Sequence, residues 1–281
     1  MRGGDHAEFV ATTEIDDVLV GVDDGWAARA ALNWLETHLP RPDAAVRLVS
    51  VLEGSGDRSA ELARALGRVR GLAEALAEVR PKARIAVEVR DGDVVERLLA
   101  SPARVLVVGS NRIDDGSDTV LDSVSTRLAA RAGCPVVVVP MSWRPSDGAI
   151  VAAVAADVPT DEVVDFAAAT ALREGRPLHL VHVRDESVAA VAGGVPSHDR
   201  LLEDAARRAH RAGCGDVTRM VRLGDPADEL RATARGASLL VVGRRRRSAL
   251  ERLLLGSVSR KVVGRIDQPV AVVPATDDIS G

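Results

Sequence analysis

Glycine and serine residues near the C-terminal end of the chain have the types and the spacing of a phosphate site. Gly243 follows the apolar run 239–242, and Gly256 and Ser257 stand where apolar periodicity predicts the start of a helix. A glycine lets its backbone approach a ligand more closely than a residue with a Cβ does. The first amides of a helix lack intrahelical acceptors and lie at the positive end of the helix dipole, which favours anions. The sequence therefore predicts an anion site between Gly243 and this helix.

Five arginines lie between the two glycines: Arg244, Arg245, Arg246, Arg247 and Arg252. An arginine run in isolation is usually a solvated surface loop. Its place between Gly243 and Gly256 favours a charge-assisted contact between at least one guanidinium and a phosphate oxygen.

Short apolar runs alternate with amphipathic segments along the chain, and this order positions the anion site. Runs such as 105–108 and 239–242 lack polar alternation, as strands buried on both faces do. Strands that alternate with helices imply a parallel sheet with right-handed crossovers and helices on both faces. Ligands of such sheets bind beyond the carboxyl ends of the strands, and Gly243 is predicted to stand at such an end.

The same pattern occurs twice. Corresponding positions keep a nearly constant spacing, as in Val22 and Val154, Gly92 and Gly224, Gly109 and Gly243, Ser123 and Ser257, and Pro135 and Pro269. A repeat this long indicates two copies of one domain rather than a solenoid of short units. We predict a first domain over residues 16–140, a linker over 141–148 and a second domain over 149–274.

The stretch that holds Gly243 resembles the ATP loop of the universal stress protein (UspA-like) family, which has the form G-2x-G-9x-G-(S/T). Gly243, Gly256 and Ser257 match the first glycine, the third glycine and the serine, whereas Arg246 stands at the second glycine. If that position needs a positive φ, a side chain costs roughly 1–2 kcal/mol there, and a changed loop shape is expected. The flanking sequences LLVVG, LLLGSVS and QPVAVVP fit the family as well. The resemblance covers residues from about 16 to 274, as two such domains in tandem.

The resemblance implies an α/β fold with two tandem domains packed as a pseudo-dimer. Each domain is expected to be a five-stranded parallel sheet with helices on both faces, of the Rossmann-like (adenine nucleotide alpha hydrolase-like) type. The last strands, at 135–139 and 269–273, are the expected contact because they are apolar and lie at sheet edges that need protection. A homodimer of the whole chain is left open.

The resemblance also implies that the second domain binds ATP or another adenine nucleotide, with Mg²⁺ as an accompanying ion. The expected contacts are Gly243, Arg244, Arg246, Gly256, Ser257, Val258, Ser259 and Asp157. In the family, an aspartate that ends the first strand contacts the adenosine part of the nucleotide. Asp23 matches that position in the first domain. The second domain has Ala155 there, and Asp157 follows two residues later.

The loop of the first domain departs from the family pattern more than the loop of the second domain does. Arg112 and Asp122 stand where the second and third glycines of the pattern belong, although Ser123 is kept. The loop carries four aspartates: Asp114, Asp115, Asp118 and Asp122. A carboxylate about 4 Å from a phosphate costs around 1 kcal/mol in water and more where solvent is excluded. We therefore expect any nucleotide to bind in the second domain.

Composition argues against several classes of protein. The net charge is -4 and aromatic residues make up 2% of the chain, which argues against a nucleic-acid binder that uses the arginines at 244–247. Cys134 and Cys214 are too few and too far apart for a disulfide framework or a zinc site. No apolar run has the length of a membrane span or a signal peptide. A bacterial, cytoplasmic protein is expected.

Catalytic motifs are not evident. The sequence contains neither a G-x-x-x-x-G-K-[ST] loop nor a G-x-G-x-x-G fingerprint. His179 and His182 are three residues apart on a predicted strand, which places them on opposite faces and argues against a shared metal. We expect a stress-response protein with a regulatory or protective role rather than an enzyme. The alternative is a scaffold that binds no nucleotide and acts through protein contacts.

Overall fold

A computed structural model describes residues 16–54, 57–110, 123–184, 198–244, 256–264 and 267–275. Most of the arginine-rich segment, at 245–255, lies outside the described residues, and so does the acidic segment at 111–122. The expectations for Arg246 and for the aspartates of the first loop therefore fall outside the described part of the chain.

Strands and helices alternate in both halves. The first half contains β1 (Asp16–Gly21), α1 (Trp26–His38), β2 (Ala45–Leu52), α2 (Arg58–Val79), β3 (Arg84–Asp91), α3 (Val94–Leu99), β4 (Ala103–Ser110), α4 (Val124–Arg131) and β5 (Val136–Pro140). The second half contains β6 (Ile150–Ala153), α5 (Thr160–Glu174), β7 (Leu178–Arg184), α6 (His198–Arg211), β8 (Val217–Leu223), α7 (Pro226–Thr233), β9 (Leu239–Gly243), α8 (Ser257–Gly264) and β10 (Val270–Val273).

The strands of the described residues form one sheet in the order β3-β2-β1-β4-β5-β10-β9-β6-β7-β8. Strands within each half are parallel, whereas β5 and β10 are antiparallel, with Val138 opposite Val270 and Val136 opposite Val272. The two halves are thus related by a pseudo-twofold that passes between β5 and β10. This arrangement confirms the predicted tandem α/β fold and the predicted pairing of the last strands.

The pairing of β5 with β10 follows from the composition of these strands. Every residue of both strands is buried, and the four valines at 136–139 have no exposed surface. An unpaired apolar edge would expose both its side chains and a row of backbone hydrogen-bonding groups. Antiparallel pairing satisfies the backbone of both edges in a single contact.

Each strand contributes to both layers of the core because successive side chains point to opposite faces. Val137 and Val139 pack with the layer that holds α1, α2, α5 and α6. Val136 and Val138 pack with the layer that holds α3, α4, α7 and α8. Both layers continue across the boundary between the halves, so the sheet has a shared core on each face. Within the described residues, no helix has the length and apolarity needed to cross a membrane.

Candidate functional site

The carboxyl end of β9 lies against the segment that connects β6 to α5. A Cβ added to Gly243 would come within 2.8 Å of the Val158 Cβ and 2.9 Å of the Pro159 Cδ. These distances are shorter than ordinary van der Waals contact, so a side chain at this position would displace the connecting segment. Glycine is required here for close packing, since its backbone conformation is one that other residues adopt.

The start of α8 is the second part of the predicted anion site. Gly256 is buried, and its carbonyl accepts the hydrogen bond from the Arg260 amide at 2.9 Å, so it is the residue that precedes the first turn. A glycine has no side chain that could accept hydrogen bonds from the helix amides. The amides of Ser257 and Val258 consequently depend on another acceptor, and the helix dipole favours an anion there. Val258 is half-buried against the core.

Ser259 joins these two parts. Its hydroxyl is buried and donates to the Gly243 carbonyl at 3.0 Å. The structure therefore brings Gly243 and the first turn of α8 together across the intervening loop. Because the hydroxyl hydrogen is engaged with a backbone carbonyl, Ser259 positions the helix start in this structure. Its predicted contact with phosphate stays a prediction.

Arg244 lies at the boundary between the two halves. Its side chain is buried, and Nη1 donates to the carbonyls of Ala130 at 3.0 Å and Ala132 at 2.8 Å, at the end of α4. A cation at the C-terminal end of a helix satisfies free carbonyls and favours the helix dipole. The Arg244 guanidinium thus holds a helix of the other half, and its predicted contact with phosphate stays a prediction.

Asp157 is exposed and directly precedes Val158, whose side chain faces Gly243. The carboxylate predicted to contact adenosine therefore follows β6 on the same side of the domain as Gly243. Arg246 lies outside the described residues. Among the described residues, no group of three His, Cys, Asp or Glu side chains is placed to hold a metal ion.

Comparison with known protein families identifies the family of this chain. The universal stress protein family profile matches twice, over residues 14–140 and 148–274. The chain belongs to the universal stress protein family.

Relatives and solved structures agree with this assignment. Universal stress protein Rv2005c of Mycobacterium tuberculosis is 32% identical over 190 residues, which cover 62% of this chain and 63% of that relative, less than two thirds of its length. A universal stress protein of Mycolicibacterium smegmatis is 26% identical over an alignment that covers 91% of this chain and 96% of the relative. The crystal structure of a universal stress protein from Archaeoglobus fulgidus shares the fold, with a TM-score of 0.70, 18% identity, and coverage of 92% of this chain and 98% of that chain.

The first universal stress protein domain has a differently built helix start. Ser123 precedes α4, and its hydroxyl accepts from the Thr126 amide at 3.3 Å and lies 2.8 Å from the Thr126 hydroxyl. The hydroxyl of Ser125 is 3.2 Å from that of Ser123. The first turn of α4 is therefore served by a side chain of its own, which would compete with a phosphate.

In the first domain, the aspartate that matches the family's adenosine contact makes a local hydrogen bond. Asp23 is exposed, and its Oδ1 accepts a hydrogen bond from the Gly25 amide at 2.9 Å. Gly109, the second-last residue of β4, lies so close to α1 that an added Cβ would be 2.1 Å from the Ala27 carbonyl oxygen. Both features hold the turn between β1 and α1 in place.

Ion pairs hold α8 and α4 against the elements that precede α7 and α3. Lys261 on α8 donates to Asp225, which precedes α7, at 2.9 Å, and this hydrogen bond lowers the pKa of the Asp225 carboxyl. In the first domain, Arg127 on α4 lies 3.5 Å from Asp93 at the corresponding place. The orientation of α8 is thus held by contacts that do not involve the loop before it.

Sequence reasoning missed the roles of Arg244 and of a polar cluster between the domains. The cluster consists of His38 at the end of α1 with Glu174 and Ser238 of the second domain, and the His38 Nε2 lies 3.2 Å from the Ser238 hydroxyl. The one sequence signal was a histidine on the apolar face of α1. Neither Glu174 nor Ser238 carries a local pattern that identifies its partner.

Proposed function

We propose that this universal stress protein binds ATP or a related adenine nucleotide in its second domain, and that its role under stress is regulatory or protective rather than catalytic. The observation that carries the proposal is the start of α8. Gly256 itself offers no side-chain acceptor to the first helix amides, and Ser259 ties that turn to the end of β9.

The residues present fit a phosphate group. A phosphate at the start of α8 would accept hydrogen bonds from the Ser257 and Val258 amides, and the absence of a Cβ at Gly256 lets it approach the backbone. Gly243 keeps the end of β9 free of a side chain. Arginines of the adjoining loop supply the positive charge that a polyphosphate needs.

Other residues hold the rest of the proposed site. Asp157, as an exposed carboxylate after β6, is suited to accept hydrogen bonds from ribose hydroxyls. Ser259 and Arg244 act as positioning residues, because one fixes the helix start and the other holds the loop to α4. Mg²⁺ would be held chiefly by phosphate oxygens and water, as Mg²⁺ usually is in nucleotide sites.

Catalysis is not part of the proposal. Nucleophilic or general-base chemistry requires a nucleophile, a base and a group that orients the base, all within hydrogen-bond reach. Ser259 donates to a backbone carbonyl rather than to a base. Slow hydrolysis of bound ATP would accordingly be incidental to the function.

Calorimetry with ATP on the full chain tests the proposal. We expect one nucleotide per chain, and we expect Gly256→Asp to abolish binding because it places a side chain and a negative charge where the phosphate would lie. An acidic residue before a helix favours the helix dipole, which offsets part of the cost of a side chain at the buried Gly256 position, and far-UV circular dichroism measures whether the variant is folded. Gly215→Asp is the matched control, because the space around Gly215 is open and the position is remote from the site.

Two results would contradict nucleotide binding. One is a parent protein that neither binds ATP in solution nor releases nucleotide when the purified protein is denatured. The other is a Gly256→Asp variant that binds ATP as tightly as the parent. The engagement of Ser259 and Arg244 with backbone carbonyls favours the scaffold as the second candidate function, and the first result would support it.

A further inference from the structure

We propose that a cavity between the two domains binds a small, multiply charged anion that bears phosphate groups. The cavity has a volume of about 380 Å³ and is lined by residues of both domains. Sites for small molecules have volumes of roughly 300–1,000 Å³. Four arginines and one carboxylate supply its charged groups: Arg41 and Arg80 of the first domain, and Arg173, Arg176 and Glu174 of the second.

This interdomain cavity is separate from the nucleotide site. Helix α5 begins at Thr160, directly after the segment that packs on Gly243, and ends at Glu174 in the cavity wall. A helix rises 1.5 Å per residue, so the two ends of this 15-residue helix are about 21 Å apart. A ligand in the cavity would therefore contact neither the end of β9 nor the start of α8.

The wall formed by the second domain has more positive than negative charge. Glu174 is nearly buried and lies between two guanidinium groups, with Arg173 Nη2 3.2 Å from Oε1 and Arg176 Nε 3.3 Å from Oε2. One carboxylate thus serves two cations, and its burial raises the pKa of Glu174. The Arg176 Nε is buried and has no hydrogen-bond acceptor among the described residues, because the Glu174 oxygen lies off its N–H direction. The other nitrogens of Arg176 donate to the Gly148 carbonyl at 3.4 Å and to Asp147 at 3.3 Å, so Nε is the donor that could take a further acceptor.

The wall formed by the first domain adds Arg80, a cation held by a carbonyl of the neighbouring helix α1. Arg80 follows α2, and its Nε donates to the Glu36 carbonyl, which fixes the guanidinium at the cavity. Arg41 is already paired with Asp17 at 2.7 Å and is half exposed, so it contributes less to an anion site. The charge available to a ligand comes chiefly from Arg80, Arg173 and Arg176.

Glu174 is the main competitor of a ligand for these arginines, and Glu36 attracts Arg80. Two further carboxylates near the cavity compete only weakly. Asp147 lies 3.3 Å from Arg176 but is fully exposed, and Asp43 lies 3.5 Å from Arg41 and is also largely exposed. Exposed ion pairs contribute little free energy because water screens them. Planar guanidinium groups match phosphate oxygens in pairs, and a phosphate carries more charge than any one carboxylate. A diphosphate-sized anion would contact both domains at once.

Such a ligand would act on the polar cluster beneath it. Glu174 Oε2 is 3.5 Å from His38 Nε2 and 3.5 Å from the Ser238 hydroxyl. The His38 ring stacks on Trp34 at a centroid distance of 4.3 Å and lies edge-on to Trp143 at 6.2 Å. An anion that draws the arginines away from Glu174 would change the surroundings of both indoles, so tryptophan fluorescence should report binding.

Titration of the full chain with pyrophosphate, followed by calorimetry, tests the site. The titration is made in the parent and in Gly256→Asp, which removes the phosphate site at α8. We expect one equivalent to bind in Gly256→Asp, where the interdomain cavity is the one proposed anion site left. Added to that variant, Arg173→Gln should weaken this binding about tenfold and Glu174→Gln should tighten it about threefold. The opposite signs follow because the first change removes a donor and the second removes the competing acceptor.

Arg222→Gln on the edge strand β8 is the matched control and should leave pyrophosphate affinity unchanged. If Arg173→Gln does not fold, the double variant Arg173→Gln/Glu174→Gln removes the ion pair as a unit, and Glu174→Gln still gives its own answer. The proposal is overturned if no saturable binding occurs, if neither change at 173 or 174 alters affinity, or if Gly256→Asp loses all binding. The last result would place the anion at the nucleotide loop, whereas loss of ATP binding alone leaves the interdomain site standing.

Discussion

Helices α4 and α8 begin at corresponding places in the two domains, but only the residue before α4 has a side chain that accepts a hydrogen bond from the first turn. The start of α4 is served by the Ser123 hydroxyl, whereas α8 begins after Gly256 and is tied to β9 by Ser259. A capping side chain and a bound phosphate compete for the same amides. Two domains with the same fold can therefore differ in binding because one helix start supplies its own acceptor.

The strand ends before these helices differ as well. At Gly109 a Cβ would meet a backbone carbonyl at 2.1 Å, while at Gly243 it would meet side-chain atoms at 2.8 Å and 2.9 Å. Side chains can move by a few tenths of an ångström, but a backbone carbonyl moves only with its helix. The first domain is therefore packed more tightly at the position where the second domain is proposed to bind.

Gly109→Ala should have the largest effect on stability of the changes considered for this comparison. We expect a loss of about 3 kcal/mol or more in the free energy of unfolding, since α1 must shift to make room for the methyl group. Gly243→Ala should cost about 1–2 kcal/mol, because Val158 can adjust. Urea denaturation of both variants measures the difference. Equal losses would show that the two strand ends are packed alike.

Trp34 and His38 of α1 correspond in the repeat to Phe166 and Thr170 of α5, at the spacing that relates Val22 to Val154. Both polar residues contact the carbonyl four residues earlier, at 2.7 Å for His38 and 2.9 Å for Thr170. Only the first of these positions titrates. Burial lowers the pKa of His38 from 6.5 to about 4, and Arg173 and Arg176 act in the same direction.

His38, at the boundary between the two domains, should therefore make the free energy of unfolding depend on pH. Between pH 6.5 and about 4 the unfolded chain binds a proton at His38 that the folded chain does not, so this contribution is present above pH 6.5 and is lost as pH falls. The loss is at most about 3 kcal/mol. Glu174, whose pKa is raised by burial, acts in the opposite direction and offsets part of it.

His38→Thr gives the first domain the residue that the second has, and it should flatten the stability curve between pH 6.5 and 4. Denaturation of the parent and the variant across this range measures the change in slope. Thr170→Ala is the control, because it removes a buried hydroxyl without removing a titrating group. A slope that His38→Thr leaves unchanged would assign the acid sensitivity to other groups.

Removal of the serine hydroxyls should have the smallest effect. Ser259→Ala leaves the buried Gly243 carbonyl without its donor, and we expect a loss of about 1 kcal/mol in stability together with ATP binding weakened a few-fold. Ser125→Ala should cost less, because Thr126 remains beside Ser123. Thermal unfolding with and without ATP separates the two effects. Equal losses would indicate that Ser259 has no special part in the helix start.

Much of the fold could be predicted because its signals are local. Unbroken valine runs identified β5 and β10 as buried strands, and the spacing between Gly109 and Gly243 revealed the repeat. The pairing of the last strands followed because an apolar edge has few stable alternatives to pairing. The proximity of Gly243 to the α8 start was likewise expected, since both belong to one strand–loop–helix unit.

Only the tertiary structure decided where individual polar side chains find their partners. Arg244 belongs by sequence to a phosphate loop, yet its guanidinium meets the end of α4 in the other domain. His38 and Glu174 meet although they belong to different domains, and the interdomain cavity with its arginines exists only because the domains pack at β5 and β10. Periodicity and spacing record which face of an element is apolar, whereas the partner of a long polar side chain depends on which distant element is packed beside it.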